Sequence, residues 1–120
     1  MIRVVVVDDS AVARRLIVHI LSSAPDIAVV GEAGDGRAAV RMVDALRPDV
    51  VTMDIRMPIM DGYEAARRVM VENPTPIIMV SAHEPAEMQG SFRALDAGAV
   101  TVLAKPGTAG SARDDLAVEL

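Results

Sequence analysis

The apolar residues of this chain fall into short, β-branched runs, and helical patterns separate one run from the next. The first run, Ile2 to Val7, reads IRVVVV. A strand with one wet face alternates apolar and polar residues, so a nearly unbroken run demands cover on both faces. That requirement points to a parallel sheet sandwiched between helices. The run stops abruptly at Asp8-Asp9-Ser10. Ser10 can cap a helix whose apolar face is Ala13, Leu16, Ile17, Ile20 and Leu21, and Pro25-Asp26 breaks that helix. Ile27 to Val30 reads as a second strand. Gly34-Asp35-Gly36 is a turn in which Asp35 caps a helix running to about Leu46, with Ala39, Val43 and Leu46 on one face. After Pro48-Asp49 a third strand, Val50 to Met53, ends at Asp54.

The loop from Ile55 to Gly62 holds Pro58 and an Asp61-Gly62 turn. A third helix follows, from Tyr63 to about Glu72, stopped by Asn73-Pro74. Pro76 opens a fourth strand, Ile77 to Val80, ending at Ser81. Met88, Phe92 and Leu95 share the face of a fourth helix that Gly90 weakens and Gly98 stops. The fifth strand, Ala99 to Ala104, ends at Lys105-Pro106. A last helical piece begins near Ser111, with Leu116 and Leu120 one turn apart. No stop signal follows, which predicts truncation inside or just after that helix. Strands alternating with helices in this way give an α/β domain: a single, three-layer, doubly wound sheet of five parallel strands.

The whole chain has 120 residues, the length of one domain. It lacks cysteine, which excludes a disulfide scaffold, a thiolate zinc site and a cysteine nucleophile. Its net charge of −5 argues against sequence-independent nucleic-acid binding, which needs clustered Lys and Arg. No apolar run reaches the ~18–20 residues of a membrane span, and the N-terminus lacks a signal-peptide layout. A cytoplasmic location is therefore expected.

The informative residues are those at which the apolar strands end: Asp8-Asp9, Asp54, Ser81 and Lys105. In a parallel sheet these ends share one edge, where open α/β sheets bind ligands. Three adjacent carboxylates repel one another and call for a counter-charge. Oxygen-only ligation in an open, hydrated site suits Mg²⁺. A carboxylate nucleophile, a divalent metal, a lysine and a hydroxyl together make a phosphoryl-transfer site whose product is an aspartyl phosphate. Taken singly, each residue has a plainer reading. Asp8-Asp9 could be a strand end and helix cap, Ser81 a hydrogen-bonded strand-end residue and Lys105 a turn lysine. Their joint occurrence at four strand ends favours chemistry. Elsewhere, Arg67-Arg68 reads as a solvated helix face, His19 as structural or exposed, His83 as an ordinary loop residue, and the eight methionines as adaptable core packing.

The stretches VVVVDDSAVARRLI, PDVVTMDIRMPIMDGYEAARRV, PTPIIMVSA and ALDAGAVTVLAKP, in this order, resemble the receiver domain of two-component response regulators over essentially the whole chain. PDVVTMDIRMPIMDG and PTPIIMVSA are most similar to the N-terminal receiver of the chemotaxis protein-glutamate methylesterases. The resemblance implies the flavodoxin-like strand order 2-1-3-4-5, with the order reversing between strands one and three. It also implies Asp54 as phosphoacceptor. Asp9, Asp54 and the backbone carbonyl of Arg56 would ligate Mg²⁺, with Asp8 acting through a metal-bound water. Ser81 would donate its hydroxyl to the phosphoryl group, Lys105 would pair with it, the Lys105-Pro106 bond would be cis, and small Ala82 would leave access open. The implied phosphodonor is a phosphohistidine on a sensor histidine kinase, with small acyl phosphates as substitutes. The implied output is a methylesterase effector domain beyond Leu120, gated through the fourth helix, fifth strand and fifth helix. This domain itself would contact neither nucleic acid nor membrane.

Two features depart from the family pattern. Val102 stands where many receivers carry an aromatic residue three positions before the lysine, which argues against an aromatic-rotamer relay. Residues 82–90 match the methylesterase pattern poorly. Gly-x-Ser-x-Gly is absent, so these 120 residues are expected to have no methylesterase activity of their own. The alternatives are a receiver fused to another output or standing alone, a receiver-like module that is never phosphorylated, and an Mg²⁺-dependent phosphohydrolase with an aspartyl nucleophile. The last would need an acid two residues past the nucleophile, where Arg56 stands. A nucleotide- or flavin-binding module lacks its glycine-rich loop after the first strand.

Overall fold

The computed structural model describes residues 1–81 and 98–104. Five strands form one sheet: β1 (Ile2–Val7), β2 (Ile27–Ala33), β3 (Val50–Asp54), β4 (Ile77–Ser81) and β5 (Thr101–Ala104). Their order is β2-β1-β3-β4-β5 and every pairing is parallel. Three helices follow the first three strands: α1 (Ala11–Ser22), α2 (Gly36–Leu46) and α3 (Gly62–Glu72). The expected fourth helix around Met88, Phe92 and Leu95 and the last helical piece from Ser111 lie outside the described residues. So do His83, Ala82, Lys105 and Pro106.

The unbroken apolar runs have the reason expected of them. Val5 and Val7 of β1, Val51 and Met53 of β3, and Ile77 and Met79 of β4 face one way, onto Ala39 and Val43 of α2 and Ala65, Ala66 and Val69 of α3. Val4, Val6, Val50, Ile78 and Val80 face the other way, where Ile17 and Leu21 of α1 cover them. Each of the three helices starts on a side-chain cap. Ser10, Asp35 and Asp61 accept from the amides of Ala13, Ala38 and Glu64, each worth about 1 kcal/mol. These caps fix where the chain leaves the sheet edge. Among the described residues no helix is long and apolar enough to cross a membrane.

Two strand boundaries differ from the sequence expectation. The second strand runs on through Gly31-Glu32-Ala33, three residues past Val30. It is an edge strand, and its partner β1 shifts register between Val4 and Val5, so Val5 pairs with Gly31. Polar Glu32 is tolerated there because the strand's outer side is open, and an apolar-run criterion stops too early. The fifth strand begins at Thr101 rather than Ala99. The Val100 amide already donates to the Ile77 carbonyl, at 2.7 Å, one step before the regular ladder.

Among the buried polar residues, Thr52 lies in the middle of the sheet. Thr52 is 1% exposed between Val6 of β1 and Ile78 of β4. Its hydroxyl has no hydrogen-bond partner among the described residues. An orphaned buried hydroxyl costs about 1–3 kcal/mol. Thr52→Val should therefore raise unfolding stability by about 1 kcal/mol in urea titrations; a comparable loss would show that the hydroxyl is satisfied.

Candidate functional site

The register of β1 against β3 brings the acids together. Val6 pairs with Thr52 and Val7 with Met53. One further step sets Asp8 beside Asp54. Asp8 follows Val4 and Val6 in the alternation, as Asp54 follows Val50 and Thr52, so both leave the sheet on the same side. Asp8 is wholly buried, Asp54 is 6% exposed, and Asp9 is exposed. One carboxylate oxygen from each of Asp8, Asp9 and Asp54 lies within 4.8 Å of the others. The cluster stands at the C-terminal edge, between the first and third strands, where the strand order reverses.

The donor set fits a small hard cation. All three groups offer oxygen, and opposed oxygens around an octahedral Mg²⁺ stand about 4 Å apart. Atoms within 4.8 Å of one another could close on such an ion with little movement. Asp8 is held at two points. Its amide donates to the Ala33 carbonyl at 3.0 Å, and its Oδ1 accepts from the Ser10 amide at 2.9 Å.

The loop after β3 borders the cluster and is tied down at both ends. The Gly62 amide donates to the Ile55 carbonyl at 2.7 Å, and the Gly36 amide of α2 donates to the Met60 carbonyl at 3.2 Å. Both contacts need glycine. A Cβ on Gly62 would overlap the Asp54 carbonyl oxygen, and one on Gly36 would overlap that of Met60. Arg56 is exposed on this loop. Ile59 has φ 71°, and the Met60 amide donates across it to the Pro58 carbonyl at 2.7 Å. This is a γ-turn in its strained, positive-φ form, with a β-branched residue at its centre.

Ser81 is the last residue of β4, and Val102 lies in β5 opposite Met79. Asp54 pairs in turn with Val80, which puts Ser81 on the same edge as the acids. Ala82, Lys105 and Pro106 lie outside the described residues. Sequence reading passed over Arg14. Its guanidinium donates to the Asp8 carbonyl at 2.8 Å and to Glu32 at 3.1 Å. No periodicity or spacing marks such a contact, since it joins a helix to a strand 18 residues away.

The gathering of carboxylates beside the strand-order reversal places them where open α/β sheets of this doubly wound class bind ligands. More narrowly, the chain belongs to the response regulator receiver domain family, whose sequence model matches residues 4–116. It is 54% identical over 115 residues to protein-glutamate methylesterase/protein-glutamine glutaminase 1 of Syntrophus aciditrophicus, covering 95% of this chain and 32% of that protein. The chain thus spans about a third of the length of the curated relatives it matches. The response regulator domain of Thermotoga maritima CheB superposes with a TM-score of 0.84 at 44% identity, covering 99% of this chain and 90% of that one. A chain of the CheX-CheY-BeF3-Mg²⁺ complex from Borrelia burgdorferi superposes at 0.82 with 29% identity, covering 99% and 90%. The likenesses to methylesterase receivers at 44–54% identity place the chain with receiver domains of the CheB type.

The strain at Ile59 is measurable. A left-handed conformation costs a non-glycine residue about 1–2 kcal/mol, while glycine gives back about 0.5–1 kcal/mol through its freer unfolded chain. The Ile59 side chain is 74% exposed, so little packing is lost on its removal. Ile59→Gly should stabilise the fold by about 0.5–1 kcal/mol in denaturant unfolding. A destabilisation would mean that the side chain makes contacts outweighing the strain.

Proposed function

We propose that this chain is a phosphorylation-controlled switch of a two-component relay, in which Asp54 accepts a phosphoryl group from a phosphohistidine of a sensor histidine kinase. The observation that carries this reading is the meeting of Asp8, Asp9 and Asp54 within 4.8 Å at the sheet edge. Asp9, the Asp54 carboxylate and the Arg56 carbonyl would hold Mg²⁺, with Asp8 acting through water. The engagement of Asp8 Oδ1 by the Ser10 amide supports that indirect role. Bound there, the ion would offset the negative charge of the phosphoryl oxygens. The Borrelia complex, whose name includes both Mg²⁺ and a beryllofluoride group, supports the pairing of metal and phosphoryl site in this fold.

In the transfer, an Asp54 carboxylate oxygen attacks phosphorus in line. The new O–P bond forms as the donor's N–P bond breaks, and the imidazole leaves on the kinase. Small acyl phosphates are expected to serve as alternative donors. Ser81 would donate its hydroxyl to a phosphoryl oxygen, and its place at the end of the strand beside β3 supports that role. Lys105 would pair with the group from the end of β5. The chain's own chemistry is self-phosphorylation and loss of that phosphate. The methylesterase names of relatives three times its length support a hydrolase effector as the output. Ala82 would keep the approach open, and the Lys105-Pro106 bond would be cis. Val102 leaves the Ser81 side of the pocket as the switch element. The site of action would be the cytoplasm, with no contact to nucleic acid or membrane.

Asp54→Asn should abolish labelling by acyl phosphate or phosphorylated kinase, read as loss of the acid-stable, base-labile adduct on gels. Undiminished labelling of that variant would reassign the acceptor. In a separate measurement, Mg²⁺ should raise the melting temperature, since an ion at 100 times its Kd stabilises the folded state by about 2.7 kcal/mol. Asp9→Asn should remove most of that shift. A melting temperature indifferent to Mg²⁺ in the parent chain would sink the metal assignment.

A further inference from the structure

Arg14 lies on the first turns of α1, outside the carboxylate cluster, and the transfer chemistry makes no use of it. Its guanidinium nevertheless makes two hydrogen bonds in two directions. Nη1 donates to the Asp8 carbonyl at 2.8 Å, and Nε donates to Glu32 Oε1 at 3.1 Å. The Arg14 side chain is 24% exposed and that of Glu32 45% exposed. An ion pair so open to water contributes little stability by itself. Its geometric effect is larger, because it ties the tip of β2 to the turn that carries the acids.

Asp8 is already held at its amide by the Ala33 carbonyl and at its carboxylate by the Ser10 amide. Asp9 is exposed, so core packing does not set the direction of its side chain. That direction depends on the peptide joining Asp8 to Asp9. The unit is planar, and fixing its carbonyl fixes the Asp9 nitrogen and Cα with it. The Arg14 guanidinium donates to this carbonyl.

We propose that Arg14 is a positioning residue of the acidic pocket, locking the Asp8–Asp9 peptide plane so that the exposed Asp9 carboxylate meets those of Asp8 and Asp54. The inference rests on the metal-pocket reading for the identity of the ligand. It also sets two physical effects against each other. A guanidinium beside an acidic pocket repels an incoming dication, so by Coulomb's law alone its removal would tighten Mg²⁺ binding. Positioning predicts the opposite sign.

The test uses the full 120-residue chain with Arg14→Lys, which keeps the charge but lacks the two-directional fork, and Arg14→Met, which loses both. Mg²⁺ affinity is measured by calorimetry, and amide exchange of Ser10 and Leu21 by NMR in EDTA. Both variants should bind Mg²⁺ about tenfold more weakly, the scale seen when groups orienting metal ligands are lost. Without metal, the Ser10 amide should exchange about fivefold faster while that of Leu21 is unchanged. Unaltered or tighter Mg²⁺ binding in Arg14→Met, or unchanged Ser10 exchange, overturns the proposal. Should Arg14→Met lose Leu21 protection and so prove unfolded, Arg14→Lys decides by the same criteria. If the parent chain takes up no Mg²⁺, the metal reading falls, while the exchange measurement still decides whether Arg14 holds the peptide.

Discussion

Electrostatic repulsion among three carboxylates is the constraint around which this domain is arranged. At an effective dielectric near 20, two like charges about 4 Å apart oppose each other by roughly 4 kcal/mol. A small domain has only about 5–15 kcal/mol of stability in total. Asp8 and Asp54 are nonetheless buried, and both share a cluster with Asp9. The sheet supplies the force that holds them. The parallel pairing of β1 with β3 fixes Asp8 beside Asp54, and slipping that pairing by one residue would turn every valine of β1 to the wrong face. The same two-sided burial that stabilises the fold thus prevents the acids from moving apart. Positive charge relieves repulsion of this kind, and the Mg²⁺ proposed for this pocket would supply it.

The sequence was most legible where physics leaves few choices. Short, β-branched apolar runs bounded by turn residues favour two-sided strands, so β1, β3 and β4 were found within a residue of their observed limits. The caps Ser10, Asp35 and Asp61 stand at the start of the helices they announce. Because Asp8-Asp9, Asp54 and Ser81 end such runs, their place on one sheet edge followed from the strands, while the strand order that gathers the three acids came from the resemblance. Legibility failed at the sheet's edges. β2 has an open side that tolerates Glu32, and its register shift against β1 is set by pairing geometry rather than by composition. The start of β5 depends on a single backbone hydrogen bond, from Val100 to Ile77, that no side chain records. The Arg14 contact was invisible for a related reason: an arginine's reach is long and its target is a backbone carbonyl, so neither partner bears a residue-type signature.

The resemblance and the bottom-up reading carry different weight. Strand-end logic alone yields an acidic, cation-seeking pocket, and leaves open whether a nucleophile, a hydrolase or an unreactive module occupies it. The family match and the 44–54% identity to methylesterase receivers narrow that to a CheB-type receiver domain. Arg56 is consistent with the narrower reading in a chemical sense. The position two residues past Asp54, where an aspartyl phosphohydrolase needs an acid to pass a proton, holds a permanently charged cation that cannot do so.

Strain and rigidity meet in the loop after β3. A β-branched residue at φ 71° would relax if its neighbours allowed it. They do not, because the loop is fastened on both sides through glycine amides: Gly62 to the Ile55 carbonyl and Gly36 to the Met60 carbonyl. Each fastening brings backbone so close that a methyl group could not be fitted. The second comes from α2, a helix with no residue in the acidic cluster. The strained turn therefore persists because the surrounding contacts over-determine it, as strained segments at functional sites generally require. Arg56 sits three residues before Ile59, on the same fastened loop. A metal ligand supplied by backbone cannot be reoriented by a rotamer change, so its direction must be set by the rigidity of the chain that carries it. On the proposed reading of the Arg56 carbonyl as a metal ligand, the close packing at Gly36 and Gly62 would serve the pocket by holding still a ligand that has no side chain to adjust.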